Sequence, residues 1–127
     1  MPSPAQISAA VDRYVTLVGT GTAKEIGALY DEAATLEDPV GGEVHIGRAA
    51  ITAFYSVLDN VTTTAELITI RVSGDEAAFH MRVVTTRPDQ IVTIEPIDVM
   101  AFNNDGLITS MRAYWGPADI TTTARGH

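Results

Sequence analysis

Two aspartates are the side chains in this sequence whose surroundings most strongly suggest chemistry. Asp98 stands in the extended run 91–103, among residues that would form the apolar face of a strand. A lone buried carboxylate is costly, so Asp98 must be paired, protonated or functional. Burial raises the pKa of a carboxyl group, and the protonated acid is a hydrogen-bond donor. The structural alternative is an ion pair with Arg82 or a bond to a backbone amide.

The second aspartate and three tyrosines extend this set. Asp38 directly precedes Pro39, which favours an extended conformation, and an ordinary turn aspartate is the alternative. Tyr14, Tyr30 and Tyr55 each fall on the apolar side of a predicted helix. Each could be a core residue whose hydroxyl reaches solvent. Three phenols directed toward one interior nevertheless exceed what packing needs.

Other common chemistries find no support. The chain has no cysteine, which excludes thiolate catalysis, disulfides and sulfur-ligated zinc. His45, His80 and His127 lack metal-ligand spacing, and the segment 19–22 matches neither common phosphate-binding loop. The remaining groups suit acid–base work, without metal or cofactor, on a neutral, apolar ligand that carries a carbonyl group.

Composition limits the partners and the location. The 127 residues include 16 acidic and 8 basic side chains, a net charge of −8 that disfavours nucleic acids and anionic membranes. Hydrophobic residues make up 46% of the chain, which is typical of one globular domain with a core. The longest uncharged stretch, residues 1–11, is too short to span a bilayer. We therefore expect a cytoplasmic protein with a small-molecule ligand.

The first half of the chain carries helix signals. Residues 3–6 combine a capping serine, a proline and a glutamine, and glycines at 19 and 21 end this first helical pattern. Thr22 and Glu25 form a second capping box before a short helix. Its apolar face is Ile26, Leu29 and Tyr30. A third helix is expected after Gly47, with an apolar face formed by Ile51, Phe54, Tyr55 and Leu58.

The second half predicts strands over 65–73, 76–87, 91–103 and 107–115, separated by short turns at 74–75, 88–90 and 104–106. Such connections make an antiparallel meander. Helices followed by a meander predict an α+β fold, with three N-terminal helices packed on a curved, mainly antiparallel sheet. One domain covers 1–127, and the polar residues 116–127 are predicted to be a loose tail.

Strand parity separates an inner from an outer sheet face. The inner face should contain residues from three strands: Phe79, Met81 and Val83; Val92, Ile94, Pro96, Asp98, Met100 and Phe102; and Leu107, Met111, Ala113 and Trp115. On the outer face we expect His80 and Arg82, together with the apolar residues Ile97, Val99 and Ile108. That apolar surface predicts a homodimer contact.

Several segments of the chain together resemble a known family. These are 13–18 (RYVTLV), 36–39 (LEDP), 53–55 (AFY), 97–100 (IDVM) and 111–115 (MRAYW). In order and spacing they resemble the bacterial Δ5-3-ketosteroid isomerases, from about Gln6 to Trp115. The resemblance implies the conical barrel of the nuclear-transport-factor-2-like superfamily, a dimer, and no cofactor. Pro96 departs from the pattern, as do Phe79 and Met81, which puts the fit of a particular substrate in question.

Roles are carried over from this resemblance position by position. It implies that Asp38 is the general base, which moves a proton from C4 to C6 of a 3-oxo-Δ5-steroid. Tyr14 and a protonated Asp98 would form the oxyanion hole. A supporting network would be formed by Tyr30, Tyr55 and Trp115. The pocket wall would be formed by Val18, Phe54, Phe79, Met81, Val83 and Met111.

Two alternatives remain open at this point. A member of the same superfamily that only binds a ligand would keep the cone and use Asp98 structurally. An epoxide hydrolase would need an arginine between two carboxylates in the pocket, and Arg82 is the candidate on its strand. Strand parity directs Arg82 outward, which favours the isomerase.

Overall fold

The computed structural model describes residues 1–125. Its helices are α1 (Pro4–Thr20), α2 (Ala23–Gly27) and α3 (Arg48–Tyr55), with short 3-10 turns at Ser56–Asn60 and Pro117–Asp119. Its strands are β1 (Tyr30–Glu37), β2 (Val44–Ile46), β3 (Thr62–Ser73), β4 (Glu76–Thr86), β5 (Gln90–Ile94), β6 (Ile97–Phe102), β7 (Ile108–Tyr114) and β8 (Ile120–Ala124).

All the described strands belong to one curved, unclosed sheet. Its order is β2-β1-β7-β6-β4-β5-β8, and β3 pairs with β4. The β1–β7 pair is parallel, and the other described pairs are antiparallel. Helix α1 lies against β3 and β4, so the core forms between the helices and the inner face of the sheet. The predicted α+β class is confirmed.

Capping determines where the first two helices begin. The Gln6 amide donates to Ser3 Oγ at 3.1 Å, and the Ser3 amide donates to Gln6 Oε1 at 2.8 Å. The same reciprocal pattern joins Thr22 and Glu25 at the start of α2. Both predicted capping boxes are present, and each satisfies amide groups that a helix leaves unpaired at its first turn.

Pro96 divides the predicted strand 91–103 into two strands. Residues 90–94 form β5 and residues 97–102 form β6, and both pair with the long strand β4. A proline has no amide to contribute to a strand ladder, so pairing is interrupted there. The break leaves Pro96 beside the interior, where its carbonyl accepts a bond from the Met81 amide at 3.3 Å.

The prediction that Tyr30 lies on the second helix is wrong, because Tyr30 is the first residue of β1. Helix α2 ends at Gly27, which packs so closely on Thr52 of α3 that a side chain there would collide with the threonine hydroxyl. The chain then turns into β1, and the Tyr30 carbonyl accepts bonds from Arg48 Nε and Nη2 at 2.9 and 2.7 Å. The Tyr30 side chain nevertheless lies in the core, as predicted.

Ile108 corrects the predicted outer face. The β6–β7 register pairs Ala101 with Ser110 and Phe102 with Ile108, so one extra residue, Thr109, is accommodated in β7. Such a bulge reverses the alternation of side chains beyond it. Ile108 is therefore buried in the core, whereas Ile97 remains exposed.

The C-terminal segment is more ordered than the predicted loose tail. Residues 120–124 form β8, which pairs with β5 along its whole length. The run of isoleucine and threonines at 120–123 consists of β-branched residues, which favour strands. Gly126 and His127 lie outside the described residues. Within residues 1–125, no helix has the length and apolar character needed to cross a membrane.

Candidate active site

A cavity of about 260 Å³ opens between the helices and the inner face of the sheet. Its lining is largely apolar, and the two aspartates singled out above are its charged residues. The lining consists of Tyr14, Val18, Asp38, Phe54, Tyr55, Val57, Leu58, Met81, Val83, Ile94, Pro96, Asp98 and Trp115. The fold thus brings both aspartates and two of the three tyrosines to one apolar space.

Asp38 enters this space from the turn that follows β1. Trp115, just beyond β7, donates its indole N–H to Asp38 Oδ1 at 2.6 Å, because β1 and β7 run parallel and end side by side. Burial raises the pKa of Asp38, while the Trp115 hydrogen bond and the charge of His45 act in the opposite direction. Asp38 is therefore a desolvated carboxylate with one donor to hold it in place.

Asp98 is more deeply buried, with 1% of its surface exposed. It lies in β6 between Phe79 of β4 and Ala113 of β7, and its Oδ1 has no hydrogen-bond partner within the described chain. Burial first, and then the charge of Asp38, raise the pKa of Asp98 well above its usual range. Burial therefore favours the protonated form of Asp98, and a protonated carboxyl group is a hydrogen-bond donor.

Arg82 does not pair with Asp98. It lies on the exposed side of β4, opposite Glu66 of β3, as the parity argument predicted. The structural alternative for Asp98, an ion pair with Arg82, is therefore excluded by the fold. The arginine that an epoxide hydrolase would place between the two carboxylates is likewise missing from the lining of this cavity.

The three buried tyrosines form a continuous hydrogen-bonded chain. The hydroxyl oxygens of Tyr30 and Tyr55 lie 2.8 Å apart, and those of Tyr55 and Tyr14 lie 3.0 Å apart. Burial raises the pKa of all three well above the usual value. If Tyr30 donates to Tyr55 and Tyr55 donates to Tyr14, the Tyr14 proton is left to point into the cavity. The phenols therefore form a neutral donor chain that ends at the ligand space.

The cavity wall differs in part from the one implied by the resemblance. Val18, Phe54, Met81 and Val83 do line it. Phe79 and Met111 do not: both are 1% exposed, and the Phe79 ring packs edge-on against Tyr14 at 6.1 Å, behind the cavity surface. They support the wall because their strands place them deeper in the core.

Sequence reasoning did not assign three of the lining residues to the pocket: Val57, Leu58 and Ile94. The first two lie on the 3-10 turn that extends α3, and half of Val57 is exposed at the mouth of the cavity. Their apolar character beside Phe54 and Tyr55 was a local signal. That these side chains face the cavity follows from the path of the chain after α3, which the sequence alone did not show.

The described residues hold no group of three or more histidine, aspartate or glutamate side chains that could bind a metal ion. The site contains two carboxyl groups, of which the more deeply buried Asp98 has the more strongly raised pKa, and a phenol, around an apolar space. Such a site can remove a proton from carbon while two donors stabilise the charge that develops on a neighbouring oxygen.

Comparisons with known proteins show the family of this chain. The SnoaL-like domain family profile matches residues 11–111. The chain is 49% identical over 119 residues to a steroid Delta-isomerase of Nocardioides simplex, a match that covers 94% of this chain and 97% of that protein. It is also 30% identical to the epoxide hydrolase LasB of Streptomyces lasalocidi, over 73% of this chain and 41% of that protein.

A solved structure of the epoxide hydrolase/cyclase-like enzyme SalBIII, described for pyran ring formation in the polyether salinomycin, has a similar fold. It superposes with a TM-score of 0.89 at 29% identity and covers 97% of this chain and 100% of its own. The fold is thus shared by proteins with different reactions, and the site must discriminate between them.

Proposed function

The chain belongs to the SnoaL-like domain family, and from that premise we propose that it is a steroid Delta-isomerase, which moves the Δ5 double bond of a 3-oxo-Δ5-steroid to the Δ4 position. The full-length similarity to the Nocardioides simplex enzyme supports the activity. The apolar cavity suits a fused-ring substrate whose reacting end carries a ketone.

Asp38 is the general base in this proposal. Its carboxylate takes a proton from C4, and the electron pair moves into a dienolate whose negative charge collects on the C3 oxygen. The same carboxyl group then returns the proton to C6. The Trp115 indole, 2.6 Å from Asp38 Oδ1, keeps the carboxylate from rotating away while it carries the proton between two carbons.

Tyr14 and Asp98 are the donors to the C3 oxygen. Both are neutral, because burial raises the pKa of each well above its usual value. A neutral donor can approach a developing oxyanion without the desolvation cost of a buried cation, and preorganised donors in an apolar site stabilise such charge better than water does. Tyr55 hydrogen-bonds to the Tyr14 hydroxyl, and Tyr30 hydrogen-bonds to Tyr55 in turn.

One observation carries this proposal: a buried Asp98 without a partner for Oδ1 lines the same apolar cavity as Asp38. An unpartnered buried polar atom is costly, so its presence calls for an explanation such as a role in catalysis. The direct test is to mix the purified protein with 5-androstene-3,17-dione and follow formation of the conjugated enone by ultraviolet absorbance. Saturable turnover that Asp38→Asn abolishes supports the proposal. Steroid binding without turnover would refute the proposed isomerase activity and favour the alternative of a protein that only binds a ligand.

We also propose a homodimer. Ile97 and Tyr114 are cross-strand neighbours on the outer face, 52% and 44% exposed, and Val99 follows on the same face of β6. Adjacent exposed apolar side chains of this kind are typical of contact surfaces. Val99→Glu should weaken association, because it introduces an unpaired charge into the contact. A monomeric wild type in sedimentation at micromolar concentration would refute the dimer.

A cytoplasmic location is part of the same proposal. It rests on the composition, because a chain without cysteine needs no oxidising compartment to form disulfides. Fractionation of cells that produce the protein tests it, and recovery from the medium or the membranes would contradict it.

A further inference from the structure

His45 lies next to the proposed base but has no part in the mechanism described above. It is the central residue of the short strand β2, whose other two residues, Val44 and Ile46, are exposed. Alternation along a strand therefore directs His45 to the opposite, inner side. There its ring packs on Phe54, a cavity-lining residue, with 4.9 Å between ring centroids and an angle of 49° between the planes.

The strand register brings His45 close to Asp38. His45 is directly opposite Leu36 in the β1–β2 pair, and Asp38 is two residues further along the chain. Asp38 is the first residue beyond β1, and both groups border Phe54: the His45 ring packs on it, and Asp38 lines the same cavity as Phe54. The imidazole and the Asp38 carboxylate are thus neighbours across one corner of the cavity.

Other charged groups near β2 are directed elsewhere. Glu37 of β1 accepts a hydrogen bond from Arg112 at 3.1 Å on the outer face. Arg48 of α3 donates to the Tyr30 carbonyl, and its ion pair with Glu32 is long, at 3.9 Å. Glu43, on the turn before β2, is exposed. Two carboxyl groups of the described chain share the inner side with His45, Asp38 and Asp98, and the charge of His45 acts on Asp38.

We propose that His45 is a positioning residue for the isomerase reaction, which acts through Asp38: its charge state sets how readily Asp38 takes a proton. The proposal rests on the assignment of Asp38 as the base. Histidine is the side chain whose charge normally changes between pH 5 and 8. A cationic imidazole stabilises the Asp38 carboxylate and lowers the pKa of that group, which offsets part of the effect of burial. The base then stays ionised in more acidic solution.

Two substitutions separate this electrostatic role from simple packing. His45→Gln removes the cation, and His45→Arg keeps a cation that can also lie over the Phe54 ring. In His45→Gln the acid limb of the kcat/KM profile should move to higher pH by roughly half a pH unit or more. In His45→Arg it should remain at the wild-type position or lie below it. A packing role would change both variants alike and leave the pH profile in place.

The titration of the Asp38 carboxyl carbon, followed by ¹³C NMR without substrate, gives the decisive readout, because it does not depend on isomerase activity. His80→Gln is the matched control, since His80 lies on the outer side and pairs with Glu95 at 3.0 Å. The proposal is supported if the pKa of Asp38 rises in His45→Gln but keeps its wild-type value in His45→Arg and in His80→Gln. An unchanged Asp38 pKa in His45→Gln, or an equal change in both variants, overturns it even if the enzyme is an isomerase.

Discussion

Glu37 and Asp38 are neighbours in the chain, yet the two faces of the sheet give them opposite properties. Glu37 accepts hydrogen bonds from the Gly41 amide at 2.9 Å and from Arg112 at 3.1 Å on the outer face, which lower its pKa. Asp38 is buried in the cavity with Trp115 as its donor, and its pKa is raised. Reactivity here comes from the surroundings of a carboxylate, since the side chains are nearly the same.

The same contrast separates the two aspartates within the cavity. Asp38 lies where the strand ends and retains a donor, whereas Asp98 lies in mid-strand with an unpartnered oxygen. When Asp38 is ionised, its charge further raises the pKa of Asp98. This difference supports the proposed division of the pair into a base, Asp38, and a neutral acid, Asp98.

The largest expected effect is that of Asp38→Asn. The amide retains the shape of the side chain but cannot accept the C4 proton, so kcat should fall by at least roughly 10²–10⁴-fold. Glu37→Gln is the matched control, because it makes the same kind of change on the outer face and should leave kcat nearly unchanged. Steady-state kinetics with the steroid substrate measure both. Nearly full activity in Asp38→Asn would show that the base is another residue.

Tyr14→Phe should have the next largest effect. It removes one donor to the C3 oxygen while the ring remains packed against Phe79, so kcat should fall on the order of 10²–10³-fold. Tyr114→Phe is the control, because that hydroxyl is bonded to Arg112 at 2.9 Å on the outer face. Equal kinetics of the two variants would remove Tyr14 from the oxyanion hole.

The kcat of Asp98 variants should depend on whether the new side chain can donate a hydrogen bond. Asp98→Asn keeps a neutral donor in the cavity, whereas Asp98→Leu fills the space without one. We expect Asn to retain clearly more of kcat than Leu, with both variants folded in thermal melts. Equal catalysis by the two variants at full stability would refute donation by Asp98.

Stability should respond to pH with opposite signs at Asp98 and Glu37. The folded-state pKa of Asp98 is raised, so the folded protein holds a proton that the unfolded chain releases above about pH 3.9. Between about pH 3.9 and the raised folded-state pKa, the free energy of unfolding of the wild type relative to Asp98→Asn should therefore fall as the pH rises. The slope should be up to about 1.4 kcal/mol per pH unit.

The pKa of Glu37 is lowered on folding, so its stabilising contribution is present above its usual pKa and is lost as the pH falls through its folded value. Urea denaturation at a series of pH values measures both trends. Parallel stability curves for wild type and Asp98→Asn would contradict the assignment of a raised pKa to Asp98.

Local signals predicted much of this fold. The capping residues Ser3 and Thr22 fixed where two helices begin, and alternation placed Phe79 and Asp98 on the inner face. Features that depend on pairing between strands were missed. The Thr109 bulge, which turns Ile108 inward, is one example, because a bulge is a property of two strands and leaves no mark in either alone.

The site shows the same limit. Asp38, Asp98 and the three tyrosines could be singled out from their residue types and positions, together with the family resemblance. His45 was considered only as a metal ligand, because its position next to Asp38 follows from the β1–β2 register and from the packing on Phe54. Contacts between distant segments decide which polar residue acts on which.

The central claim is that Asp98 is protonated while Asp38 is ionised in the same cavity. Infrared difference spectroscopy at neutral pH tests it most directly, by comparing the wild-type protein with Asp98→Asn and Asp38→Asn. The account predicts a carbonyl stretching band of a protonated carboxylic acid that disappears in Asp98→Asn and persists in Asp38→Asn. Absence of that band from the wild type, or its loss in Asp38→Asn alone, would contradict the account.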